Sequence, residues 1–230
     1  MNIKIYNGEK NMENNSENNI NKSSNKSNLN SEVRLDSQFQ FCREIDKEKF
    51  IKRQTYLSDG KQKENDAEHA WHMAVMALVL SEYSNEPVDL LRTISMILIH
   101  DVVEIDAGDT YAYDEEAKKT QADRELKAAD RIFGMLPEEQ AERFKELWLE
   151  FEEQKTPEAR FARTMDNIQP MMLNAATGGK GWEEHGVRLH QILKRNINTP
   201  KGSEELWKYA EKQFIDVNVK GGKILDDKNM

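Results

Sequence analysis

An all-α fold, a single helical bundle, is the class this sequence predicts. From Asp36 onward apolar residues recur at helical spacing almost everywhere, and no stretch shows a strong alternating strand pattern. The interruptions fall at residues that stop or start helices: Ser58-Asp-Gly60, Asn85-Glu-Pro87, Gly134, Pro137 and Pro157. At 230 residues and 26.7 kDa the chain is long enough to bury one substantial core and too short for two large ones.

Residues 1–34 form an Asn, Ser, Lys and Glu tract with too few apolar groups to offset chain entropy, and they are expected to be a disordered tail. The folded domain is expected over residues 35–225. Its first helix is placed from Ser37 to Tyr56, with Phe41, Ile45 and Phe50 inward and Cys42 packed within it. Asn65 or Asp66 can cap a second helix reaching about Tyr83. A third runs from about Val88 to Glu104, and a polar loop from Gly108 to Asp114 follows. A charged helix spans about Glu115 to Gly134, and Pro137 opens another to about Gln154. Pro157 suits a first turn, while Pro170 should kink or interrupt the helix that continues to Ala176. Gly178-Gly-Lys-Gly181 ends it, and helices at Trp182–Arg195 and Glu204–Val219 complete the domain.

The formal charge of −9 and pI near 5.2 argue against a nucleic-acid backbone or an anionic membrane as the main partner, since both reward clustered cations. Small phosphorylated ligands need only a few local cations. One cysteine, Cys42, excludes an internal disulfide and a Cys-rich zinc site. With no run approaching the roughly 18–20 apolar residues of a bilayer span, a cytoplasmic setting is expected.

Chemistry concentrates at His100-Asp101, which ends the apolar stretch Thr93–Ile99. Two polar, metal-binding groups at the mouth of a buried segment are costly unless paired, and a divalent cation is the simplest partner. On continuous helices, His69 and His72 share a face at i,i+3, and His100 and Glu104 share one at i,i+4. Asp166 interrupts an apolar run near Phe161, Met165 and Ile168 and is a candidate last ligand. Each has an ordinary reading as well. His69 could be a packed helix histidine, Asp166 could pair with Arg163 or Arg160, Glu104 could face solvent, and Asp130 competes with Asp166.

Taken together, His69, His100-Asp101 and Asp166 resemble the HD superfamily of metal-dependent phosphohydrolases, all-helical proteins named for that dipeptide. Four blocks carry the likeness: Arg53-Gln-Thr-Tyr-Leu57, Glu64-Asn-Asp-Ala-Glu-His69, His100-Asp-Val-Val-Glu-Ile-Asp-Ala-Gly-Asp-Thr110 and Phe161-Ala-Arg-Thr-Met-Asp166. They are similar to the branch containing bacterial 5'-deoxynucleotidases and HD-domain-containing protein 2. The resemblance implies one divalent ion (Mn, Co, Fe, Ni, Zn or Mg) on His69, His100, Asp101 and Asp166. It makes Glu104 and Asp109 catalytic acids and Arg53 the phosphate-holding arginine of an enzyme that releases phosphate from nucleoside 5'-monophosphates. Such relatives commonly dimerise, and the Glu115–Gly134 stripe could serve a homodimer or the monomer core.

The chain departs from that pattern where an aromatic follows the arginine in the bacterial enzymes; Gln54 stands here, with Trp71 or Tyr56 as candidate substitutes. Lys180 in its glycine-rich segment could touch phosphate, though the P-loop spacing is absent and a helix terminator fits better. His185 and His190 read as surface residues. No histidine lies between Asp101 and Asp166, which favours a mononuclear site unless His72 is recruited. An alarmone pyrophosphohydrolase is the enzymatic alternative, because His100-Asp-Val-Val-Glu104 also resembles that motif, although Ile105 stands where that group has aspartate. A metal-stabilised nucleotide-binding module without turnover is the non-enzymatic one.

Overall fold

The computed structural model describes residues 31–114 and 116–227; the tract 1–30, which carries most of the expected tail, lies outside them. Residues 31–44 are helical (α1), so the helix begins inside the stretch assigned to the tail. The chain then tightens into a 3-10 segment, Ile45–Phe50, and becomes strand β1, Lys52–Tyr56, paired antiparallel with β2, Lys63–Asn65. This corrects the expected helix through Tyr56. Phe50 and Cys42 both turn out exposed, while Phe41 is buried as expected. The hairpin escapes the alternation rule because the buried side chains of its strands, Arg53, Glu64 and Asn65, are polar.

Helix α2, Asp66–Leu80, starts directly at the hairpin through a capping box: Glu68 N donates to Asn65 Oδ1 and Asn65 N donates to Glu68 Oε2, both at 2.9 Å. The cap places His69 one turn into the helix. Helix α3, Leu90–Ile99, is capped by Asp89, whose carboxylate accepts from Arg92 N at 3.1 Å. It ends before His100, and a turn leads to the short α4, Glu104–Ala107. Bonds of i→i+3 type, Val102 N to Ile99 O and Glu104 N to Asp101 O, wind this turn more tightly than an α-helix. The expected single helix to Glu104 is therefore broken, and the i,i+4 face of His100 and Glu104 with it.

Helices α5, Gln121–Phe133, and α6, Glu138–Glu153, lead to α7, Pro157–Ala176. The α5 stripe, including Ala128, Ala129, Ile132 and Phe133, is absorbed into the core. Thr156 caps α7 and Pro157 fits its first turn. The helix runs through Pro170 without interruption, contrary to expectation; the bond that Pro170 cannot donate is the one to the Asp166 carbonyl. Helix α7 packs against α2, α3 and α6, and its Phe161, Ala162 and Met165 meet Met73, Met96, Ile97 and Phe151 in one core. The expected helix Trp182–Arg195 is two, α8, Lys180–Glu184, and α9, Leu189–Arg195, split near Gly186 at positive φ. Helices α10, Thr199–Gly202, α11, Glu204–Ala210, and, after a π-helical turn, α12, Asp216–Lys220, close the domain.

Candidate metal centre

Three helices bring together residues about a hundred positions apart. The first turn of α2 supplies His69, the end of α3 supplies His100-Asp101, and the middle of α7 supplies Asp166; all four are buried. His69 Nε2 lies 3.2 Å from Asp166 Oδ1, His100 Nε2 lies 3.9 Å from the same oxygen, and His100 Nε2 is 3.0 Å from Asp101 Oδ2. Two imidazoles and two carboxylates thus converge on one small volume.

Hydrogen bonds on the far side of each ring settle which nitrogen faces it. His100 Nδ1 donates to the Ile97 carbonyl at 2.7 Å, which turns Nε2 inward toward the carboxylates. On the other ring, Gln169 Nε2 donates to Glu64 Oε2 at 2.9 Å, so Gln169 Oε1 accepts from His69 Nδ1 at 3.0 Å. His69 is thereby also presented through Nε2. Imidazole nitrogens buried against carboxylates call for a positive charge between them, supplied by a proton or by a metal ion.

The charge states agree. Burial alone would lower the His100 pKa, but the adjoining Asp101 carboxylate overrides it and pushes the imidazole up to about 9. Burial works against ionised Asp166, yet its bond to His69 and the nearby Arg163 hold it well below the usual carboxylate range. Asp101 is likewise depressed by His100 and Arg53 against the pull of burial. A site that draws protons onto its histidines is one that a divalent ion fits, and His69, His100 and Asp166 form a donor group of the size an ion needs.

A second buried group, Asp66, Asp101 and Glu104, adjoins the first through Asp101. Arg53 Nη1 bridges it, 3.1 Å from Asp66 Oδ1 and 2.7 Å from Asp101 Oδ2. Burial and the like charges of Asp101 and Asp66 raise the Glu104 carboxyl well above its ordinary range, and Glu104 Oε2 has no partner. Burial also raises Asp109, on the loop after α4. Arg53, Gln54, Glu104 and Asp109 line a pocket with His100, Asp101 and Asp166, so the fold assembles every residue expected at the site.

Other expectations resolve differently. His72 is one layer out, near enough to Gln169 Nε2 (3.2 Å) to serve as its acceptor. Lys180 supports the hairpin, donating to Gly60 O and lying 4.0 Å over the Tyr56 ring; neither it, Tyr56 nor Trp71 lines the pocket. Trp71 is 65% exposed, so nothing there replaces the missing aromatic. Asp130 is an exposed partner of Lys145. His185 is exposed as expected but stands on the pocket wall, its ring 4.7 Å from Tyr111. Gln169, Asp66, Arg163 and Arg195 were not singled out as site residues by sequence. Asp66 had a visible signal as the alternative cap: once Asn65 takes that role, its carboxylate is free to turn inward.

The model of the HD domain matches residues 45–207, and the chain belongs to the HD-domain family. It is 31% identical over 141 residues to the 5'-deoxynucleotidase HDDC2 of Homo sapiens, covering 61% of this chain and 67% of that protein. It is 32% identical over 138 residues to its Bos taurus counterpart, covering 60% and 65%. The chain spans about two thirds of the length of these curated relatives. A crystal structure of a protein from Magnetospirillum magnetotacticum MS-1, described as a predicted metal-dependent phosphohydrolase, superposes with a TM-score of 0.80 at 45% identity, over 85% of this chain and 97% of that one.

Proposed function

We propose that this chain is a metal-dependent phosphohydrolase that releases phosphate from nucleoside 5'-monophosphates. The observation that carries the reading is the convergence of His69, His100, Asp101 and Asp166, with both imidazole Nε2 atoms facing the carboxylates. Relatives named 5'-deoxynucleotidase and the phosphohydrolase structure support the same chemistry. These four residues would hold the ion, which when bound supplies polarisation of a phosphoryl oxygen and a water acidified toward a pKa of about 7.

The remaining roles follow from the pocket. Arg53, oriented by Asp66 and Asp101 before any ligand arrives, presents its fork to the substrate phosphate. As the water oxygen bonds to phosphorus and the ester P–O bond breaks, Glu104 hands a proton to the leaving sugar oxygen and is reprotonated by the one the water gives up, while Asp109 holds a sugar hydroxyl or relays that proton. Gln54 stands beside Arg53 where the bacterial enzymes have an aromatic, so discrimination between ribose and deoxyribose rests on other groups of the pocket, which include Tyr111, Tyr113 and Trp182. The domain is assigned to residues 35–225 and the setting to the cytoplasm, consistent with one unpaired cysteine and with no described helix long and apolar enough to cross a membrane. A homodimer is the assembly this reading favours, and α2 offers an outer face of Trp71, Val75, Leu78 and Val79 for it.

The test is phosphate and pyrophosphate release by metal-stripped protein resupplied with manganese, cobalt or magnesium, across ribo- and deoxynucleoside mono- and triphosphates and guanosine alarmones. Metal-dependent phosphate from monophosphates is expected, lost in Asp101→Ala while the helical circular dichroism is retained. Pyrophosphate from alarmones would replace this reading with the pyrophosphohydrolase, and full metal occupancy in Asp101→Ala would overturn the ligand assignment.

A further inference from the structure

Three arginines line the pocket, and they differ in what already occupies them. Arg53 gives Nη1 to Asp66 and Asp101. Arg163 donates Nη2 to Glu152 at 2.7 Å and Nη1 to Asp166 Oδ2 at 3.1 Å, with its guanidinium 4.1 Å from the Phe151 ring centre. Arg195 has no such commitment. Among the described residues its charged contact is Asp166 Oδ2 at 3.8 Å, beyond hydrogen-bonding reach, and its side chain is 27% exposed.

The position of Arg195 is nevertheless built. It is the last residue of α9, and the next residue, Asn196, is buried, with Nδ2 donating to Ile192 O at 2.9 Å and Oδ1 accepting from Thr199 Oγ1 at 3.0 Å. Thr199 in turn accepts from Asn167 Nδ2 at 2.9 Å and, through its carbonyl, from Thr164 Oγ1 at 3.0 Å. Asn167 and Thr164 flank the helical turn of α7 that carries Asp166. A side-chain network thus fixes the base of Arg195 against that helix.

The pocket's charge gives this guanidinium a task. Asp101, Glu104, Asp109, Glu125, Glu152 and Asp166 line it, an acidic surround for an anionic substrate. A phosphate entering there needs a cation with donors still to give, and the planar fork of arginine suits its oxygens. We infer that Arg195 is a second phosphate-binding residue, acting beside the metal ligands and adding hydrogen bonds to those of Arg53 and Arg163, whose guanidinium groups are already partly engaged. This deepens the phosphohydrolase reading and rests on it.

The probe is inorganic phosphate, titrated by calorimetry into full-length manganese-loaded protein, followed by nucleotide kinetics. In Arg195→Ala the phosphate dissociation constant should rise roughly ten- to a hundredfold, with Arg195→Lys intermediate and manganese occupancy and melting temperature unchanged. KM for the hydrolysed nucleotide should rise in parallel while kcat changes by less than about threefold. Unchanged phosphate affinity in Arg195→Ala, or no phosphate binding by the wild type, would overturn the inference. So would a loss of manganese in both variants, since Arg195 would then serve only as a counter-charge to Asp166. If phosphate binding depends on Arg195 but no nucleotide is hydrolysed, the phosphohydrolase reading fails and the anion site stands.

Discussion

Gln169 shows how one buried amide can organise a charged site. It accepts from His69 Nδ1 and donates to Glu64 Oε2, so replacing it removes the acceptor that holds the ring nitrogen and leaves Glu64 without its donor. Gln169→Leu should weaken manganese binding about 10–100-fold, the range typical of groups that orient a metal-binding histidine. Calorimetric titration checks it, and wild-type affinity in the variant would remove Gln169 from this role. Glu48, on the 3-10 segment, poses a different problem. Burial, with the Asp101 and Asp66 charges, pushes its carboxyl up to about 8, and Oε1 has no partner. Between its ordinary 4.5 and about 8 the folded protein holds a proton that the unfolded chain has lost, so stability falls as pH rises through that window and levels off above it. In metal-free protein Glu48→Gln should remove that loss, raising the melting temperature above wild type near pH ~9 and matching it near pH ~4.5. Scanning calorimetry showing equal pH slopes for the two proteins would contradict this account.

The elements depend on close approach as much as on propensity. Helix α10 lies so near α7 that a Cβ on Gly202 would stand 2.3 Å from Arg160 O and 2.3 Å from Thr164 Oγ1, which makes glycine a packing requirement there. Gly202→Ala should cost about 1–3 kcal/mol in urea denaturation and raise KM, because the displaced α10 carries Thr199, the anchor of the Arg195 corner. A wild-type midpoint would show that α10 can yield without strain. The β1–β2 hairpin matters similarly: strand geometry, not a helix, puts Arg53 and Glu64 inward together, with Arg53 Nε 3.7 Å from Glu64 Oε1. Had residues 51–56 continued the first helix, as their spacing suggested, Arg53 would not be fixed against Asp66 and Asp101.

At the scale of the whole molecule, α2 carries an exposed apolar face among the described residues. Trp71, Val75, Leu78 and Val79 recur at i, i+4, i+7 and i+8 on α2, and each is at least 40% exposed. Sedimentation velocity at micromolar concentration should give a dimer for the wild type and a 26.7 kDa species for the Trp71→Glu, Leu78→Glu double variant. A monomeric wild type would refute the assembly. Of the two readings of the Glu115–Gly134 stripe, dimer face or monomer core, the structure bears out the second, since its buried positions are filled within the monomer.

What the sequence by itself determined was the helical class, and it marked His69, His100, Asp101 and Asp166 as candidates that the resemblance joined into one ligand set. Helix periodicity is a local property, and ionisable side chains interrupting apolar segments are conspicuous because burying them unpaired is costly. Arg53 and Asp109 were legible only through resemblance, whereas Glu104 was also marked by its spacing from His100. Tertiary structure alone decided the partners: which nitrogen of each histidine faces the site, why Asp66 turns inward, which arginine has the fewest of its donors engaged, and that Glu104 joins Asp66 and Asp101 rather than sharing a helix face with His100. The physical reason is that a buried polar group takes its role from what lies opposite it. Here the opposite residue is commonly far along the chain, 97 positions for His69 and Asp166 and 105 for Glu64 and Gln169, where no local pattern can register it.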